Sequence, residues 1–71
     1  MFPEFHDLII KLKVEDPHFY HLFEKENELD HRIKAIENNI EFATDVELEN
    51  LKKERLHLKD EMYEILKKHS V

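Results

Sequence analysis

The chain carries two long runs of mostly apolar residues that are spaced alternately three and four positions apart. The first run comprises Leu22, Glu26, Leu29, Ile33, Ile36 and Ile40. The second run comprises Leu48, Leu51, Arg55, Leu58, Met62, Ile65 and His69. Such spacing places all the side chains of one run along a single stripe of an α-helix. Two such helices joined by a short connection predict an antiparallel helical hairpin with a coiled-coil-like seam.

Prolines and capping residues predict where the helices begin and end. Pro3 suits the first turn of a short amphipathic helix, which must end before Pro17 because proline disfavours helical geometry at the preceding residue. Asp16 is a good N-cap for a second helix, and Thr44 with Glu47 resembles the capping box that opens a third. The predicted helices cover approximately residues 3–14, 17–40 and 45–68. The chain is therefore predicted to be one all-α domain over residues 1–71.

The unequal lengths of the helices predict an uneven thickness. The first helix is about half as long as the others, so it can pack only at the open end of the hairpin, opposite the connection. In the register that we predict, Ile33 lies near Arg55, and the apolar residues towards the connection have one partner helix each. We therefore predict that these side chains stay partly exposed and form an interaction surface. The predicted surface comprises Ile33, Ile36, Ile40, Leu48, Leu51 and Leu56.

The same register predicts ion pairs across the hairpin. Asp30 should lie on the flank of the second helix that faces the third, within reach of Arg55 or Lys59. A partly exposed pair of this kind contributes only about 0–1 kcal/mol. Its predicted role is therefore to set the register of the two helices.

Composition narrows the class of protein. Of the 71 residues, 39% are charged, none is glycine and the net charge is −6. Long solvated helices fit that composition, and the negative charge repels phosphate backbones and anionic lipid. The chain has no cysteine, which excludes a disulfide framework, a thiolate metal site and a nucleophilic thiol. The longest unbroken apolar run, residues 8–10, is too short for a membrane span, and no signal-peptide pattern is present, so we expect a cytoplasmic protein.

Two features suggest site chemistry, and each has a structural alternative. His18 and His21 are spaced to grip a metal ion from one helical face, but a site needs further ligands and six histidines make a chance pair common. Glu26 occupies a seam position, where a buried carboxylate can serve in acid–base catalysis. Polar seam residues also set the register of coiled coils, and we favour that interpretation for both Glu26 and Arg55.

The third helix carries the main basic cluster, which could lie along nucleic acid. The cluster comprises Lys52, Lys53, Arg55, His57 and Lys59. Acidic residues are interleaved with it, and no glycine-rich phosphate loop or stacking platform accompanies it. We therefore interpret it as a mixed, solvated helix face rather than as a nucleic-acid interface.

Several segments resemble a known family of small bacterial proteins, the YdcH-like proteins. In the first half these segments are MFPEF (1–5), FEK (23–25) and LDH (29–31). In the second half they are LKK (51–53), LKDEM (58–62) and IL (65–66). Glu26 departs from the family pattern, which often has histidine there. The resemblance implies a cytoplasmic bacterial protein with a helical hairpin, in a family with no established biochemical activity.

The sequence therefore predicts a fold and leaves the biochemical function unknown. We identify no catalytic, cofactor-binding or metal-binding residues, and we expect neither an enzyme nor a cofactor. The leading hypothesis is a helical protein–protein interaction module, with a second copy in a weak homodimer or another protein as its partner. The alternatives are a nucleic-acid-associated protein that uses the basic cluster and a metal-binding protein that uses His18 and His21.

Overall fold

The computed structural model describes residues 2–70, which contain three α-helices. A 3₁₀ turn at Pro3–Phe5 leads directly into α1, His6–Glu15. The two long helices are α2, Pro17–Glu37, and α3, Asp45–His69. They pack against each other as an antiparallel hairpin, and α1 contacts both of them. The predicted all-α class and helical hairpin are confirmed.

Side-chain caps begin both long helices. The Asp16 carboxylate accepts hydrogen bonds from the backbone N–H groups of His18 and Phe19, at 3.0 and 3.2 Å. The Thr44 hydroxyl accepts a hydrogen bond from the backbone N–H of Glu47 at 3.1 Å. These bonds satisfy N–H groups that have no partner within the first turn of a helix. They place α2 immediately after α1 and open α3 at Asp45.

The end of α2 differs from the sequence prediction. The helix stops at Glu37, so the expectation that it continues to residue 40 is wrong. Asn39 adopts a left-handed conformation with φ of 61°, a geometry that asparagine tolerates better than most residues. The N–H groups of Asn39 and Ile40 then donate to the carbonyls of Ile36 and Ala35, at 3.1 and 2.8 Å. This Schellman motif closes the helix and turns Ile40 out of the seam.

The main core lies at the open end, where the three helices meet. Its buried side chains are Leu12, Phe19, Leu22, Leu58, Met62 and Leu66. An aromatic cluster ties the start of the chain to α3, because the Tyr63 ring lies 5.5 Å from that of Phe2 and 6.0 Å from that of Phe5. The domain measures 41 × 21 × 17 Å. Within residues 2–70, no helix is both long and apolar enough to cross a membrane.

Candidate functional site

The predicted interaction surface is divided between buried and exposed residues. Ile33 and Ile36 are only 1% and 8% exposed, so the expectation that they stay partly exposed is wrong. Leu48 and Leu51 are half-buried. Ile40 and Leu56 remain exposed. Only part of the predicted surface is therefore accessible to a partner.

Charged side chains bridge the two long helices in the part of the hairpin that holds Ile33 and Ile36. Lys52 Nζ lies 3.0 Å from a Glu37 oxygen, and Arg55 Nη1 lies 2.8 Å from Asp30 Oδ1. Long basic side chains can cover apolar surface with their aliphatic stems while their charged ends remain in water. We interpret the burial of the two isoleucines between only two helices as an effect of such bridging side chains.

A cluster of exposed apolar side chains lies instead at the tip of the hairpin, in the connection and the first turn of α3. Ile40, Phe42 and Val46 are 80%, 91% and 67% exposed, and we call them the tip surface. Phe42 and Val46 were missed by the sequence analysis because neither falls on a seam. The sequence does place large apolar residues in a short connection, where no seam can bury them. That placement could have indicated the tip surface.

Asp30 is the centre of an ion-pair network. Its carboxylate contacts Arg55 of α3 at 2.8 Å and Lys34 of its own helix at 3.0 Å. The hydrogen bond from Lys34 is the largest cause that lowers the pKa of Asp30 below its usual 3.8, and the charges of Lys34 and Arg55 lower it further, while burial opposes them. The carboxylate is therefore held in its ionised form. Lys59, the other predicted partner, pairs with Glu26 instead.

Glu26 lies at the floor of a cleft of about 610 Å³. Its side chain is 7% exposed, and one carboxylate oxygen lies 3.9 Å from Lys59 Nζ. The residues around the cleft come mainly from the start of the chain, α1 and α2. They are Phe2, Pro3, His6, Ile9, Ile10, Lys13, Phe23, Glu26, Asn27, Asp30 and Lys59. We refer to this feature as the cleft.

The cleft combines an aromatic wall with charges of both signs. Lys13 Nζ lies 4.2 Å from the centre of the Phe23 ring, in the geometry of a cation–π contact. The two carboxylates in the cleft, Glu26 and Asp30, are already close to lysine or arginine side chains. Lys13 adds a positive charge beside the aromatic wall. The cleft is thus suited to an apolar group that carries or lies near an acid.

The histidine pair of the metal-binding hypothesis is exposed. His18 and His21 both lie on the surface of α2. Among residues 2–70, no group of three or more histidine and carboxylate side chains is arranged to hold a metal ion. The structure therefore adds no ligand to the histidine pair.

The basic cluster of α3 is matched by carboxylates. The Lys52, Arg55 and Lys59 side chains lie within 4.0 Å of acids on α2. Lys53 and His57 lie 3.6 and 3.0 Å from glutamates of α3 itself. These contacts use the basic groups to join helices and to pair along α3. They lower the positive potential that the cluster could present to phosphate groups.

Comparison with known proteins identifies relatives over the whole chain. Residues 19–66 match the family model described as "Protein of unknown function (DUF465)". The chain is 48% identical over 71 residues to "Uncharacterized protein YdcH" of Escherichia coli (strain K12) and to the protein of the same name from Shigella flexneri. Each alignment covers 100% of this chain and 96% of the relative, and no solved structure matches significantly. The chain therefore belongs to the DUF465 family of proteins of unknown function, in agreement with its resemblance to the YdcH-like proteins.

Proposed function

We propose that the protein is a non-enzymatic helical interaction module that works through its tip surface, with a second copy of the chain as its partner. The observation that carries the proposal is the exposure of Ile40, Phe42 and Val46 within one short segment. Exposed apolar residues that occur singly are normal on protein surfaces, whereas contiguous ones mark interaction sites. Burying a side chain of this size contributes about 1.5–3 kcal/mol. Burial of the tip surface by a partner is therefore favourable.

The exposed face between the tip surface and the cleft supports a second copy as that partner. Leu56, 60% exposed, stands on α3 one turn from Lys59 towards the tip. On this face Asp30 and Glu37 of α2 pair with Arg55 and Lys52 of α3, and Lys34 of α2 lies between the two acids. A two-fold contact can place the acids of one copy against the basic side chains of the other. Domains of this size also gain stability by oligomerising.

The proposal extends to location and excludes catalysis. We place the protein in the cytoplasm, where a chain without cysteine needs no disulfide. As a candidate nucleophile the chain offers one serine, Ser70, whose hydroxyl donates a hydrogen bond to the carbonyl of Lys67. Nucleic-acid binding and metal binding are not proposed, because the basic cluster is paired with acids and the part of the chain that the structure describes brings no third ligand to the histidine pair.

Sedimentation equilibrium at several protein concentrations tests the proposal. We expect the unmodified chain to form a dimer at about 500 µM, which corresponds to a weak but measurable association. Phe42→Ser should weaken the dimer at least about tenfold, because Phe42 is the most exposed large apolar side chain. Val14→Ser is the matched control, since Val14 is 84% exposed on α1, far from the tip.

Three results would contradict parts of the proposal. A monomer mass for the unmodified chain at 500 µM would exclude a second copy and leave a different protein as the partner of the tip surface. Equal association of the Phe42→Ser and unmodified chains would show that the tip surface is not the contact. A loss of association in Val14→Ser alone would move the contact to α1.

A further inference from the structure

We propose that the tip surface of one copy inserts into the cleft of a second copy, so that a two-fold dimer fills both clefts in one contact. This inference rests on the proposed function and names the surface that receives the tip. It treats Phe42 as the occupant of the cleft. The dimer closes at two copies, because each chain contributes one tip and one cleft to the same interface.

An exposed face of the hairpin runs from the cleft towards the tip. Asp30 borders the cleft, and Lys34 and Glu37 follow it at helical spacing along α2 towards the tip. On α3, Lys59 borders the cleft and Leu56 lies one turn nearer the tip. The exposure of Leu56 shows that α1 does not cover this part of the face.

The spacing of the cleft and the tip suits a two-fold contact. Lys59 at the cleft and Val46 at the tip are 13 residues apart in α3, which corresponds to roughly 20 Å along the helix. When two copies pack antiparallel with a two-fold axis halfway along this distance, each tip arrives beside the cleft of the other copy. Each hairpin keeps its own fold in such a dimer, and neither copy needs to unfold. The geometry of one hairpin therefore permits both insertions at once.

The chemistry of the tip segment matches that of the cleft. Residues 38–50 contain four acidic residues and no lysine, arginine or histidine. The cleft that would receive this segment is lined by Lys13, Lys59 and His6 beside the rings of Phe2 and Phe23, and also by Glu26 and Asp30. Both carboxylates already have basic partners within their own hairpin, Lys59 for Glu26 and Lys34 with Arg55 for Asp30. Lys13 therefore offers its charge to an acidic segment. Phe42 can pack edge-to-face or offset against such an aromatic wall. Asp45, three residues after Phe42 in the sequence, then lies near Lys13, whereas Glu41 already lies 3.5 Å from Arg32 of its own hairpin.

The size of the contact predicts a weak dimer. A face about 20 Å long and at most 21 Å wide gives a footprint of about 400 Å² per copy, against roughly 800 Å² per partner in stable complexes. The cleft, with a volume of about 610 Å³, adds contact area that a flat face would lack. Filling the cleft increases the specificity of the contact more than it increases the contact area. Dissociation constants in the high micromolar range are the expected result.

Cross-linking between single-cysteine variants tests the insertion, since the natural chain has no cysteine. Ala43→Cys places a thiol beside Phe42, and Asn27→Cys places one at the exposed edge of the cleft. The two variants are mixed in equal amounts at about 500 µM, treated with a short bis-maleimide, and analysed by mass spectrometry of the linked peptides. We expect links between position 43 and position 27 to exceed links between two copies of position 43.

A second variant keeps the test independent of the added thiols. Asn27→Trp fills the cleft without a change of charge, and we expect it to weaken the dimer at least about tenfold in sedimentation equilibrium. His21→Trp is the matched control, because His21 is exposed on α2 and does not border the cleft. Circular dichroism of both variants checks that the helices are intact.

The outcomes distinguish the insertion from the proposed function. Dominant links between position 43 and position 27, with a weakened Asn27→Trp dimer, support the insertion. Dominant links between two copies of position 43, with Asn27→Trp as associated as the unmodified chain, overturn the insertion and leave the tip-mediated dimer standing. A monomeric unmodified chain overturns both.

Discussion

Apolar side chains are buried in different ways at the two ends of the hairpin. At the open end, α1 forms a third layer, and Phe19, Met62 and Leu66 are fully buried beneath it. Towards the tip, only α2 and α3 are present, yet Ile33 is 1% exposed. There, charged side chains pair across the seam, as Arg55 does with Asp30, and we interpret them as the cover that α1 supplies at the open end.

At the tip itself, apolar side chains are covered neither by a third helix nor by bridging side chains. Phe42 lies in the connection, outside any helix, and is 91% exposed. No seam passes beneath it, and no third layer reaches it. The tip therefore keeps apolar surface that the rest of the hairpin does not. If the contrast between the ends is correct, substitutions at the two ends should differ in both size and kind of effect.

The largest effect is expected at the open end. Phe19→Ala should lower the free energy of unfolding by about 3–5 kcal/mol, because it leaves a cavity that three helices hold open. Small domains have about 3–5 kcal/mol in total, so much of the variant should be unfolded at room temperature. Urea denaturation followed by far-UV circular dichroism measures this change. Tyr20→Ala, at the exposed neighbouring position, is the control, and equal losses for the two variants would contradict a three-layer core at this end.

A smaller loss is expected for a similarly buried side chain nearer the tip. Ile33→Ala should cost about 2–3 kcal/mol, at the lower end of the usual range, because two helices can close partly over the gap. The same denaturation experiment measures it. A loss as large as that of Phe19→Ala would show that the two-helix end is packed as rigidly as the three-helix end.

The ion-pair network should contribute less and should depend on pH. Asp30→Asn is expected to lower stability by about 0–1 kcal/mol near neutral pH, since the pair is partly exposed. The pKa of Asp30 is lowered by folding, so its contribution is complete above the unfolded pKa and is lost as the pH falls through the lower folded pKa. The difference between the unmodified chain and Asp30→Asn should therefore stay constant from neutral pH down to about pH 5, and shrink as the pH falls further, through 3.8 and below.

Denaturation at a series of pH values checks this expectation. Asp60→Asn is the control, since Asp60 is exposed on α3. A difference between the unmodified and Asp30→Asn chains that grows on acidification would contradict the assigned direction of the pKa shift.

The smallest effect on the stability of a single chain is expected at the tip. Phe42→Ser should change the free energy of unfolding by no more than about 0.5 kcal/mol at low protein concentration, because an exposed side chain loses few contacts. Measurement at about 10 µM avoids the contribution of dimer formation. A loss above about 1 kcal/mol would mean that Phe42 stabilises its own hairpin, and would remove the contrast between the two ends.

Local patterns in the sequence were sufficient to predict the helical hairpin. The alternating spacing of Leu22, Leu29, Leu58 and Met62 reports a helical stripe directly, because helix periodicity depends on the local backbone. Capping is local too, which is why Asp16 marks the start of α2. The end of α2 was harder to predict, since Asn38 and Asn39 weaken a helix without specifying at which residue it stops.

Burial away from the main core, and with it the candidate site, was decided by the tertiary structure. A seam residue such as Ile36 can be covered by a third helix, by bridging side chains or by nothing, and the sequence of one stripe does not distinguish these cases. The cleft likewise exists only because α1 packs beside α2 and brings Lys13 over Phe23. Helical periodicity depends on neighbours in the chain, so the sequence alone determined the stripes. Coverage depends on neighbours in space, so only the folded arrangement could leave Phe42 exposed and bury Ile33.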